Sequence, residues 1–79
     1  MTNIGDLIKS RRKDLNLSQR ELAALIGCSD VFICYIERGR NLLPAQFAPI
    51  LATALQVKES EVLNALRADM ISAIDKKLA

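Results

Sequence analysis

The chain is 79 residues long, enough for one domain that buries roughly 60% of its unfolded surface and too little for a second active lobe. Apolar residues make up 51% of it, with only three glycines and two prolines, which excludes a disordered chain and suits a compact all-α domain. The net charge of +2 lies in the first half: residues 1–40 hold seven Lys or Arg against five acids, and residues 41–79 four against four, so a polyanionic partner would meet the first half, although so small a bias is equally a solvated surface.

The first predicted helix starts at Asn3, a cap residue with Asp6 three positions on, and takes its apolar contacts from Ile4, Leu7, Ile8 and Leu15. Lys9, Arg11 and Lys13 along it are either a solvated face or phosphate contacts. The second helix is bounded closely. Ser18 with Glu21 forms a capping box, Leu17 and Leu22 are spaced for a hydrophobic staple, and the helix should begin within a residue of Gln19. Leu22, Leu25 and Ile26 make its apolar face, and Gly27 ends it in the left-handed conformation. Ser29 caps a third helix in which Ile33 and Ile36 turn to the core. Asp30, Val31, Cys34, Tyr35 and Arg38 are left for the opposite side, and Gly39 closes the helix.

Two short helices around a tight turn, carried here by LSQRELAALIG, then CS, then YIERGR, resemble the helix-turn-helix of Cro and phage-repressor regulators, the xenobiotic-response-element family. The resemblance spans about Ile4 to Leu63, with the helix-turn-helix at about 18–38. It implies a five-helix, repressor-like DNA-binding domain whose second and third helices are the DNA-reading unit. It also implies an ion pair between Arg12 and Glu37 that braces the first helix against the third. Ser29, Asp30, Val31 and Tyr35 occupy the positions that read bases in the resembling proteins.

Arg40, Asn41, Leu42, Leu43 and Pro44 follow, with two leucines where resembling proteins often carry basic residues. A fourth helix should run to about Leu55 on Phe47, Ile50, Leu51, Ala54 and Leu55, starting late enough to hold Pro49 in its first turn. The fifth, Glu59 to Leu78, would be about 30 Å long. Val62, Leu63, Leu66 and Met70 would cover the core, whereas Ile71, Ile74 and Leu78 form a separate stripe whose expected partner is a second copy of the chain, the alternative being a frayed, exposed helix end.

The chemistry expected of the DNA face can be stated residue by residue. Gln19, with the first amides of its helix, can hold a phosphate, and Arg20 stands beside it. Asp30 can accept from a cytosine amino group, or is simply the acid favoured in a first helical turn. Val31 can touch a thymine methyl or pack at an edge, and Tyr35 can donate to a base or a phosphate or stand as an exposed ring. Arg38, Arg40 and Asn41 would hold the backbone beyond them. A dimer would set two third helices about one DNA turn, roughly 34 Å, apart and so read an inverted repeat.

Other classes are poorly supplied. The chain has no histidine, and Cys28 and Cys34 are six apart, which matches neither a zinc-ligand spacing nor a redox pair, so no metal or cofactor is expected and both are read as small packing residues. No nucleophile has a base beside it, so no enzyme is expected. No apolar run approaches the roughly 20 residues of a membrane span and no signal-peptide core opens the chain, so the expected place is the cytoplasm. The expectation is a dimeric, operator-binding repressor or autoregulatory controller. The competing reading is an antitoxin or other partner-binding protein whose last helix holds a different chain, such as a toxin.

Overall fold

Each of the first three helices begins at a side chain that satisfies an amide the helix itself leaves free. The computed structural model describes residues 3–78, with side chains described as far as residue 69. Asn3, in an extended conformation, accepts the Asp6 N–H at 2.8 Å and opens α1 (Ile4–Asp14). Ser18 Oγ accepts the Glu21 N–H and Glu21 Oε1 accepts the Ser18 N–H, both at 3.0 Å, so α2 (Gln19–Ile26) starts on a complete capping box. Those bonds to Ser18 favour the ionised form and hold the Glu21 carboxyl below its ordinary value. Ser29 Oγ accepts the Phe32 N–H at 3.1 Å and opens α3 (Asp30–Glu37).

A 3-10 turn, Ala45–Phe47, leads into α4 (Ala48–Leu55), and Pro49 stands in the first turn of that helix, where its missing N–H would have had no helical partner. The last element is α5 (Glu59–Leu78). There is no strand among the described residues, and the five helices form the expected all-α, repressor-like globule. None of them is long and apolar enough to cross a membrane.

α2 packs on α3 and α4 on α5, with α1 set against α3 and α5. Ile4 and Ile8 of α1, Leu22 of α2, Ile33 and Ile36 of α3, Leu51 and Leu55 of α4 and Val62 of α5 are fully buried where these helices meet. Each such side chain contributes about 1.5–3 kcal/mol relative to an exposed one. Phe32 and Phe47 close one edge, with ring centroids 5.8 Å apart and planes tilted by 43°.

Several apolar residues expected inside lie outside. Leu25, Ile50 and Leu63 are 54%, 43% and 41% exposed. The reason is the direction of each buried stripe, which small residues help to set: Ala23 in α2, Ala48 and Ala52 in α4, Ala65 in α5. At about 100° per residue, Ile50 falls on the far side of α4 from Ala48, Leu51, Ala52 and Leu55, and Leu25 falls off the Leu22–Ala23–Ile26 face. In the α3–α4 loop, Leu43 is a core residue at 4% exposure and only Leu42 points out. Arg11, expected at a solvated or phosphate-binding face, donates from Nε to the Leu55 carbonyl at 3.2 Å and satisfies the end of α4.

Two close approaches fix α1. A Cβ on Gly5 would stand 2.7 Å from the Ile36 carbonyl oxygen and 3.0 Å from that of Glu37, so only glycine lets α1 cross the end of α3 at this distance. At the head of the same helix the Ile4 N–H donates to Asp69 Oδ2 of α5 at 3.4 Å. Burial there raises the Asp69 carboxyl, the Ile4 bond opposes that, and nearby Asp6 adds to it. Met70 and the expected second stripe, Ile71, Ile74 and Leu78, lie outside the described side chains.

Candidate nucleic-acid interface

The turn between α2 and α3 is three residues long. Gly27, at φ 78°, takes the left-handed conformation and donates to the Ala23 carbonyl at 2.9 Å; Cys28 donates to the same oxygen at 3.0 Å, and Ser29 then caps α3. Cys28 packs half-buried against the core, where burial pushes its thiol up. At the other end of α3, Arg40 N–H reaches back to the Tyr35 carbonyl at 2.9 Å and Gly39 N–H to that of Ile36 at 3.1 Å. With Gly39 at φ 74°, these two bonds are a Schellman closure. It sets Arg38, Arg40 and Asn41 in the exposed bend that leaves the helix.

An ion pair holds α3 from behind. Arg12 donates from Nε to Glu37 Oε2 at 2.8 Å and from Nη2 to Oε1 at 3.1 Å, and its Nη1 donates to the Leu17 carbonyl at 2.8 Å. The side chains are 13% and 4% exposed. The bonds to Glu37 raise the Arg12 pKa further and outweigh the opposing cost of burial. One guanidinium thereby joins α1, the residue before the α2 cap and the last turn of α3. Gln19 joins the same group, donating from Nε2 to Glu37 Oε1 at 3.3 Å. Its second amide hydrogen and its carbonyl oxygen remain for a ligand.

The outward side of α3 carries a mixed face. Val31 is 54% and Tyr35 40% exposed; Ser29 is exposed and Cys34 half-buried. Asp30 accepts the Val31 N–H at 2.9 Å, and its other oxygen lies 3.9 Å from Arg20 Nε. Ser29, Asp30, Val31 and Tyr35 are thus brought together on α3, with Gln19 and Arg20 at the head of α2 beside them and Arg38, Arg40 and Asn41 at the far end. The sequence reading missed the Arg20–Asp30 pairing and the bond from Gln19 to Glu37. Both join residues ten or more apart, and no spacing rule reaches across a turn between helices.

A helix-turn-helix domain family model matches residues 3–65 of the chain. The chain belongs to that family. The ImmF control region 10 kDa protein of Bacillus phage phi105 is 30% identical over 73 residues, which cover 92% of this helix-turn-helix chain and 77% of that protein. The P22 c2 repressor, solved in complex with a synthetic operator, superposes with a TM-score of 0.74 at 29% identity, over 82% of this chain and 98% of the repressor. The restriction-modification controller C.AhdI of Aeromonas hydrophila superposes with a TM-score of 0.68 at 30% identity, over 75% of this chain and 86% of the controller. The Cro and phage-repressor character read from LSQRELAALIG and YIERGR thus agrees with both the family match and the fold.

Proposed function

We propose that this helix-turn-helix domain binds duplex DNA as a homodimer on an inverted-repeat operator and acts as a repressor or autoregulatory controller. The observation that carries the proposal is the outward face of α3, where Val31 and Tyr35 stand exposed on a helix whose opposite side is clamped by a partly buried ion pair. Apolar and hydroxyl groups on a rigid helix suit base edges in a major groove, and loose surface loops would not hold them in register. The P22 c2 repressor, which shares the fold, is a similar protein solved in complex with a synthetic operator. Gln19 and Arg20 supply phosphate contacts before the groove, and Arg38, Arg40 and Asn41 supply them after it.

Dimerisation is proposed through α5. The helix continues to Leu78, and exposed Leu63 falls, by the 3.6-residue period, on the stripe that Ile71, Ile74 and Leu78 continue. The test is selection from a pool of random duplexes by the purified protein, repeated across salt concentrations. The expected result is an inverted repeat with half-sites about one helical turn apart, a steep fall of affinity with salt, and loss of binding in Tyr35→Ala. Binding indifferent to sequence, or none, would overturn the reading in favour of a protein that holds a different partner chain.

A further inference from the structure

Asp30 is an unusual residue to meet DNA first, since it adds a negative charge at the entry of the helix proposed to lie in the groove. Its two oxygens are engaged differently. Oδ1 accepts the Val31 N–H at 2.9 Å, while Oδ2 lies 3.9 Å from Arg20 Nε across the turn. With Phe32 N–H given to Ser29 Oγ, two of the first amides of α3 are occupied by the helix's own side chains. Those donors are not available to an incoming phosphate, and the carboxylate itself repels one. The Arg20 contact is too long for a hydrogen bond and its partners are 88% and 45% exposed, so it holds the two charges together weakly and is easily opened.

We propose that Asp30 and Arg20 form a charge-based selector that couples base reading to phosphate binding, an inference that rests on the DNA-binding reading above. In the free protein Asp30 stands beside Arg20 in a loose ion pair. On a duplex of the wrong sequence Asp30 faces base-edge acceptors, such as guanine O6 and N7 or thymine O4, and the approach is penalised. Where the edge offers an exocyclic amino group, that of cytosine above all, Oδ2 leaves Arg20 for that donor. The released guanidinium then takes a backbone phosphate. Selectivity at this position comes chiefly from rejecting the wrong sequence.

The test compares wild type, Asp30→Asn and Arg20→Gln. Each is put through selection from random duplexes, and each is titrated on the wild-type site and on random duplex across salt concentrations. The amide oxygen of the Asp30→Asn side chain can still accept the Val31 N–H, and the Ser29 cap is untouched, so the start of α3 is kept while the charge is lost. For Asp30→Asn, random duplex should bind about tenfold tighter, and the selected pool should lose its preference at one base position per half-site. Arg20→Gln should weaken the selected site more than random duplex and lower the salt slope on that site by about one per half-site. If Asp30→Asn selects the wild-type site unchanged and binds random duplex no more tightly, the selector is overturned while DNA binding stands. A wild-type chain that selects no sequence overturns both.

Discussion

At the scale of single residues, the most consequential group is Glu37, whose carboxylate is the meeting point of Arg12 and Gln19 with its side chain only 4% exposed. Removing it strands a partly buried guanidinium, and the cost comes from that uncompensated charge more than from the pair's own attraction. Glu37→Ala should lose about 3 kcal/mol or more, a fall in melting temperature on the order of 15 °C for a domain of this size. An unchanged thermal unfolding curve would show that the bridge braces nothing. Gln56 gives a prediction of opposite sign. It ends α4 at φ 57°, in the left-handed conformation, with its side chain exposed. A side chain other than glycine costs energy there. Gln56→Gly should raise stability by about 0.5–1 kcal/mol, read as a higher urea midpoint with an unchanged slope. The contrast shows what a sequence discloses at this scale. Asn3, Ser18, Glu21, Ser29, Gly27 and Gly39 act within four residues of their own position, so the pattern of neighbours reveals them. Gln56 has no such signature, and the Arg11 bond to the Leu55 carbonyl spans 44 residues.

At the scale of elements, the number and order of the helices were legible because the first three carry their own caps, Pro49 marks the first turn of the fourth, and the apolar spacing from Val62 onward marks the fifth. Which side each helix turns inward was legible only in part. Hydrophobicity ranks Leu25, Ile50 and Leu63 above Ala23, Ala52 and Ala65, yet the alanines are buried and the larger residues stand outside. Small residues win wherever two helix backbones come close, and closeness is a property of the pair. Gly5 is the extreme case. In an isolated helix Gly→Ala would stabilise by about 1 kcal/mol, but here the added methyl would lie 2.7 Å from a backbone oxygen of α3 that no rotamer change can move. Gly5→Ala should therefore destabilise by about 1–3 kcal/mol in urea unfolding. Because the displaced backbone is that of Ile36 and Glu37, it should also weaken operator binding. A variant more stable than wild type would mean that α1 and α3 are not held this close in solution.

At the scale of the whole molecule, one copy presents one reading helix, and its +2 net charge is a weak source of affinity. Tight, salt-sensitive recognition by so small a domain calls for two copies whose phosphate contacts act together, since the second half-site then binds at a high effective concentration. The proposed contact of Ile71, Ile74 and Leu78 belongs to this scale, since their helical spacing in the sequence sets them apart from Val62, Ala65 and Leu66, which meet the core. On the dimer proposed above, a double Ile71→Asp, Ile74→Asp chain should sediment as a folded monomer while wild type sediments at twice that mass. Its melting should lose the dependence on protein concentration expected of the dimer. Affinity for the inverted repeat should fall by about a hundredfold or more, with the salt slope roughly halved as one set of phosphate contacts is lost. Wild-type protein that sediments as a monomer and also fills the two half-sites of the repeat without cooperativity would refute dimerisation through α5.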